Sequence, residues 1–377
     1  MEAKFKNPFL VSGYHSPMYF CDRLAETQQV ISALQSERNV SLISPRRMGK
    51  TGLIHNVFYK IKERGKEANC FYIDIFTTQN LLEFTTLFGK TLIGQLESKP
   101  QLAIKRIVGF FKSFRPLFSF DAQTGMPAVS LNIQSDQAQN SLQEIFMYLK
   151  DSKKQIYIAI DEFQQIIEYP EKGVEALLRS YIQFLPNVHF IFSGSKKHLM
   201  DAMFSSVNRP FYQSTQKINL KEISIESYRE FALGLFSKHK KRLPADTFDF
   251  IYSGLQGHTW YIQLVLNLLF SLEKSNYSLQ DAKGVIEGIL QEENATYKTY
   301  CEIITKGQLV LLMAIAKERS VKAPFEQAFM QRHGLKAASS VKLALKSLMD
   351  KTLILRGDGG EYYVYDRFFG LWLGGIV

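Results

Sequence analysis

The sequence is poor in cysteine. Cys21, Cys70 and Cys301 are the three it has, far apart, and no pair stands at a spacing that would grip a metal. A set this odd and sparse argues against a disulfide framework and points to a reducing compartment. No basic-then-apolar segment opens the chain as a secretory signal would. Long hydrophobic runs are missing too. The most apolar one, WYIQLVLNLLF at 260–270, is interrupted by Gln263 and Asn267 and has about half of the ~20 residues that a membrane span needs. It reads as a buried helix, and the expectation is a cytoplasmic protein with no membrane partner. Internal repeats and low-complexity tracts are absent. The seven histidines never stand beside cysteines or carboxylates at ligand spacing, and no Ser-His-Asp set is suggested. Neither a histidine–cysteine metal centre nor a hydrolase triad is therefore expected.

What the chain does have is room and pattern. Its 377 residues suffice for two or three domains at roughly 150 residues each. The net charge of +10 admits a polyanionic partner, nucleic acid or nucleotide, without choosing between them. Short, nearly continuous apolar runs at 39–44, 70–76, 155–161, 188–194 and 215–220 alternate with amphipathic segments. Runs of that kind suit parallel strands covered on both faces, and their alternation with helices predicts a three-layer α/β domain over 1–221. At about 99–137 two alternating runs separated by Gly125 and Pro127 predict a hairpin inserted between the second and third sheet strands. Residues 222–296 carry helical patterns only. From 297 to 377 three helical patterns precede two β-rich runs around GDGG, which predicts a winged helix.

Within the first strand–helix junction stands SLISPRRMGKTGLIH, residues 41–55. A phosphate-binding loop needs backbone N–H groups turned inward, a lysine for the terminal phosphates and a hydroxyl for Mg²⁺. Here the loop is Ser44, Pro45, Arg46, Arg47, Met48, Gly49, Lys50, Thr51 and Gly52. Gly49 allows the close backbone approach, Lys50 brings the charge, Thr51 the hydroxyl, and the helix that opens there adds its positive end. Ser44 replaces the first glycine of the motif at the strand exit, away from the phosphates. About 110 residues on, IYIAIDEFQQI ends a strand predicted to neighbour the loop strand in Asp161 and Glu162. Asp161 is placed to hold Mg²⁺, mostly through water, and Glu162 to act as general base on the attacking water. A further strand ends in Ser193-Gly194-Ser195; in a fold of this kind its tip lies between the two motifs, where Ser193 is positioned to sense a terminal phosphate and Ser195 to cap the next helix. Arg209 precedes the fifth strand and either reaches a nucleotide in a neighbouring subunit or faces solvent. Asp74, at another strand tip, is either a neighbour of the site or a strand terminator.

The combination of SPRRMGKT, IDEFQ, SGS with NRPFY, and the terminal YYVYDRFFGLWL resembles the archaeal-type ATPase family, in the signal-transducing P-loop branch related to AAA+ proteins. The likeness spans nearly the whole chain. It implies a P-loop core of the AAA+ kind, a helical lid and a winged helix. Family members carry a Phe-x-Gly-Arg-x-x-Glu element that packs on adenine; YFCDRLAE supplies Phe20, Arg23 and Glu26, with Asp22 in place of the glycine. In the lid signature Gly-x-Pro, Gly257 is kept and Thr259 replaces proline.

The function these features imply is an ATP-binding, Mg²⁺-dependent ATPase that acts as a conformational switch, with catalytic residues Glu162, Lys50 and Arg209. No Asn-Lys-x-Asp pattern for guanine is present, which favours ATP. Two alternatives stand beside it. One is a non-hydrolysing ATP-binding scaffold. The other is a DNA-binding regulator whose affinity ATP tunes. Residues 298–377 hold twelve Lys or Arg against seven Asp or Glu. On the expected recognition helix, Val341, Leu345 and Leu348 face the core. Ser339, Lys342 and Lys346 face outward, and with Arg356 on the wing they would track duplex phosphates. The same module can instead act as a lever packed on the nucleotide domain. A homo-oligomer or a protein partner fits either reading.

Overall fold

Buried on both faces, the apolar runs become one parallel sheet. The computed structural model describes residues 6–65, 68–96, 111–113, 115–120, 127–357 and 359–375. In chain order the strands of the first half are β1 (Val40–Ile43), β2 (Asn69–Asp74), β3 (Arg115–Phe120), β4 (Pro127–Asn132), β5 (Ile156–Asp161), β6 (Val188–Gly194) and β7 (Gln216–Asn219). Among the described residues five of them form a sheet in the order β2-β5-β6-β1-β7, every neighbouring pair parallel. β1, β5 and β6 are buried along their whole length, whereas the edge strands β2 and β7 bury only part of theirs. That is why the inner strands read as unbroken apolar runs.

The order corrects one expectation. The strand ending in Asp161 does not border β1; β6 lies between them. Parallel pairing leaves strand order to the crossovers, which local pattern does not encode. The tip of β6 falls, as expected of it, between the loop after β1 and the carboxylates after β5.

Side chains alternate across the sheet. Ala159 and Ile191 pack with Leu53, Ile54, Val57, Phe58 and Ile61 of the helix Lys50–Arg64. The apolar positions of that helix recur at three- and four-residue spacing, and Lys62 and Arg64 in its last turn oppose the negative end of its dipole. On the other face Ile158, Ile160, Phe190 and Phe192 join the helices Leu81–Leu96 and Ala138–Asp151. β3 and β4 pair antiparallel, Arg115 opposite Asn132, between β2 and β5 in the chain. Part of the expected insertion, Gly125 included, lies outside the described residues.

The chain divides into two compact units: Gly13–Lys221, and Glu222 onwards with the described residues up to Ser12. In the second unit, the helices Ile225–Lys238, Ala245–Gly254, Thr259–Phe270 and Leu279–Glu292 come first. Ser224 caps the first, its hydroxyl accepting from the Ser227 N–H. Ser278 and Asp281 form a capping box on the last, and Lys274 with the box holds the Asp281 carboxyl down at about 2. Thr259 stands at the first position of its helix, one of the few places where the proline of the family signature would also fit. Among the described residues no helix is long and apolar enough to cross a membrane. Five further helices follow: Asn294–Glu302, Lys306–Lys317, Gln327–Arg332, Ala338–Asp350 and, after the antiparallel pair β8 (Ile354–Arg356) and β9 (Tyr362–Val364), Arg367–Gly374. The first and last of these join through Trp372, whose indole N–H donates to Asn294 Oδ1 at 3.1 Å and whose rings lie against Tyr297 and Phe369.

Candidate nucleotide site

The loop 44–49 leaves β1 and enters its helix through Gly49, whose φ of +95° is a left-handed value that a side chain would strain. Ser44 is not among the positive-φ residues, so the first loop position makes no demand for glycine here. The serine is buried, and its hydroxyl bonds to the Pro45 carbonyl at 3.1 Å. The Lys50 ammonium is buried too. It donates to the carbonyls of Ser44 at 3.0 Å and Pro45 at 3.1 Å, folding back over the loop. Burial lowers its pKa, with Asp161 and Glu162 opposing and Arg46 adding to the shift. Met48 is buried beneath the loop, while Arg46 and Arg47 are exposed; the Arg46 guanidinium lies 5.1 Å above the Phe76 ring.

Asp161 ends β5. Its Oδ2 accepts from Thr51 Oγ1 at 3.1 Å and from the Tyr72 hydroxyl at 2.6 Å, so a hydroxyl and a carboxylate converge on one point beside the loop. Hard oxygen donors in that arrangement fit Mg²⁺. The adjoining Glu162 has a φ of +54°, in the left-handed region. Ser195 Oγ donates to Glu162 Oε2 at 2.7 Å, and the Gln164 amide donates to the same oxygen. Ser195 thus spends its hydroxyl on Glu162 and does not cap the helix Lys197–Ser205. Ser193, by contrast, is wholly buried in β6 opposite Leu42, and its Oγ has no hydrogen-bond partner. Between the two serines, a Cβ on Gly194 would stand 2.3 Å from Gln164 Oε1 and 2.5 Å from Met200 Sδ, so those side chains would have to shift.

At the other end of the loop, Arg23 is buried and bonds to the Met48 carbonyl at 3.3 Å and to Glu26 at 2.8 Å. Asp22 and Arg23 both have positive φ, 53° and 62°. The family glycine is thus replaced by aspartate, a residue that tolerates the left-handed region. The Phe20 ring packs on the first turn of the loop helix, where a Cβ on Gly52 would come within 3.0 Å of it. Arg209, its side chain 34% exposed, pairs with Glu175, and burial raises the Glu175 pKa against that partner. Burial likewise raises the pKa of Asp74, whose Oδ1 accepts the Phe76 N–H at 2.9 Å.

Sequence reading did not single out Tyr72, and it gave Ser195 a different task. Both act across the sheet on residues 89 and 33 positions away, which no local pattern displays.

A probable winged-helix domain is matched over residues 295–375. No curated protein matches the sequence. The fold is similar to the Walker-type ATPase of Pyrococcus abyssi, at 16% identity and a TM-score of 0.64, covering 97% of this chain and 99% of that one. It is also similar to the Aeropyrum pernix ORC2 protein solved with ADPNP and ADP, at 13% identity and a TM-score of 0.57, covering 99% and 98%. A third similar structure is the Aeropyrum pernix ORC1 protein in complex with DNA, at 11% identity and a TM-score of 0.52, covering 98% and 96%. Over residues 20–265 the sequence matches the model for ATPase domains predominantly from Archaea, and with the loop, the paired carboxylates and the parallel sheet in place, the chain belongs to that family.

Proposed function

We propose that this chain binds ATP with Mg²⁺, hydrolyses it to ADP and phosphate, and uses the cycle as a conformational switch. One observation carries the reading. Lys50 is 6% exposed, its ammonium meets two backbone carbonyls, and among the described residues no carboxylate forms an ion pair with it. A buried cation costs stability unless an anion compensates it. The N–H groups at the start of the helix Lys50–Arg64 are where a phosphate would do so.

In this reading Lys50 leaves the two carbonyls for the terminal phosphates. Thr51 and Asp161 would hold Mg²⁺, whose charge would neutralise the phosphate oxygens. Glu162 accepts a proton from the attacking water once Ser195 and Gln164 release its carboxylate. Phe20 and Arg23 flank the base. Arg209 would stabilise transition-state charge, in another copy of the chain, only after leaving Glu175. Titration of the purified protein with a fluorescent ATP analogue, beside a phosphate-release assay, tests the proposal. Binding without turnover would favour the non-hydrolysing scaffold, and no binding would end the reading.

A second reading rests on the outer face of the helix Ala338–Asp350. There Lys342 and Lys346 are exposed opposite the buried Val341, Leu345 and Leu348, and Arg356 is exposed on β8 over the Tyr362 ring. Such a face suits duplex phosphates, and DNA binding tuned by ATP is the function it would serve.

A further inference from the structure

Tyr72 is unused by the nucleotide reading. It lies on β2, one strand beyond Asp161, and no motif names it. Its hydroxyl donates to Asp161 Oδ2 at 2.6 Å; the same oxygen receives Thr51 Oγ1 at 3.1 Å, while Oδ1 accepts the Glu162 N–H at 3.0 Å. The carboxylate is thus oriented by three donors from three parts of the chain. Of these, Thr51 can keep donating while its lone pairs face a metal. Tyr72 is the side-chain donor that need not touch the metal at all.

The phenol is itself held in place. Its ring lies 4.9 Å from His55, one turn after Thr51 on the same helix face. Tyr14 also stacks on His55 at 6.1 Å and 17°, and its hydroxyl bonds to Asn56 Oδ1 at 3.0 Å. Asn56 in turn donates to Thr27 Oγ1 at 3.1 Å, and Tyr14 meets the edge of Phe20 at 5.8 Å. A continuous row of rings therefore fixes where the Tyr72 oxygen stands. Pre-organisation of this sort is what a metal-binding carboxylate lacks when left to rotate freely about its terminal torsion.

We infer that Tyr72 is a positioning residue, whose hydroxyl sets the Asp161 carboxylate in the orientation that binds Mg²⁺. The inference rests on the nucleotide reading proposed for this chain. Groups that orient a metal ligand from behind typically change metal affinity by about ten- to a hundredfold.

The test is Tyr72→Phe, which keeps the ring and removes the hydroxyl. Affinity for a fluorescent ATP analogue is measured in EDTA and then across a Mg²⁺ titration, beside wild type, with thermal melting as a control for folding. The expected result is an affinity in EDTA within about twofold of wild type and a Mg²⁺ concentration for half-maximal effect raised about tenfold. His55→Leu, which retains the hydroxyl but removes its ring support, should raise it by less. Identical Mg²⁺ curves in Tyr72→Phe and a metal-responsive wild type would overturn the positioning role and leave the nucleotide reading intact. An equal loss with and without metal would also overturn it, as general disruption. A wild type that binds no analogue at all would remove the underlying reading and this inference with it.

Discussion

Lys50 and Glu162 have different tasks in the proposed reading, and substitution should separate them. Lys50→Ala removes the charge that would face the terminal phosphates. Its affinity for an ATP analogue should fall by at least about a hundredfold, since charge-assisted contacts of this kind are worth about 3 kcal/mol. Equilibrium titration checks this, and wild-type affinity in the mutant would remove the loop from the site. Glu162→Gln should bind normally and lose about a hundredfold or more in turnover, because an amide cannot take the proton of water. Phosphate release measured at saturating ATP decides it. At this scale much was legible in advance. Gly49, Lys50, Thr51, Asp161 and Glu162 stand at spacings dictated by phosphate and metal chemistry, so the sequence shows them directly. The substitutions at Ser44 and Asp22 become intelligible only through backbone angles: Ser44 needs no left-handed freedom, and Asp22 uses it.

Among the elements, the tip of β6 is closely packed. Gly194→Ala would drive a methyl into Gln164 and Met200, so overpacking should cost about 1–3 kcal/mol and displace the amide that holds Glu162. A lowered melting temperature together with reduced turnover is the expected outcome, and normal values for both would show that the tip can relax. The capping box of Leu279–Glu292 gives a pH-dependent counterpart. Asp281 titrates at about 2 in the fold against an ordinary 3.8. Its stabilising effect is therefore complete above about pH 4 and is lost as the pH falls toward about 2. Asp281→Asn should show less of that acid dependence than wild type in melts across the same range. The apolar runs were readable because burial on both faces leaves a local mark in sequence. Strand order leaves no such mark, since it depends on how crossovers pack; the place of the β6 tip between the two motifs was expected from the kind of fold, not from local pattern. The helices Asn294–Glu302 and Arg367–Gly374 join across 78 residues through Trp372 and Asn294, a pairing equally invisible to local pattern.

For the whole molecule, the basic face of Ala338–Asp350 separates two roles. If it binds duplex DNA, removing any one lysine–phosphate pair should flatten the slope of log affinity against log salt by about 0.9. Lys342→Glu/Lys346→Glu should then bind DNA far more weakly while hydrolysing ATP at the wild-type rate. Gel-shift titrations at two salt concentrations, beside phosphate release, read both. Absence of salt-sensitive binding in the wild type would end the DNA reading, and an altered turnover in the double mutant would then favour the lever. The two tryptophans of the sequence, Trp260 and Trp372, both fall in the unit that begins at Glu222, and Gly13–Lys221 has none. Light absorbed selectively by indole therefore reports on one unit only. Emission excited at the red edge should follow unfolding of the helical and winged segment while circular dichroism follows both. A spectral change on adding nucleotide would record, without any label, that an event at Lys50 has been felt in the other half of the chain.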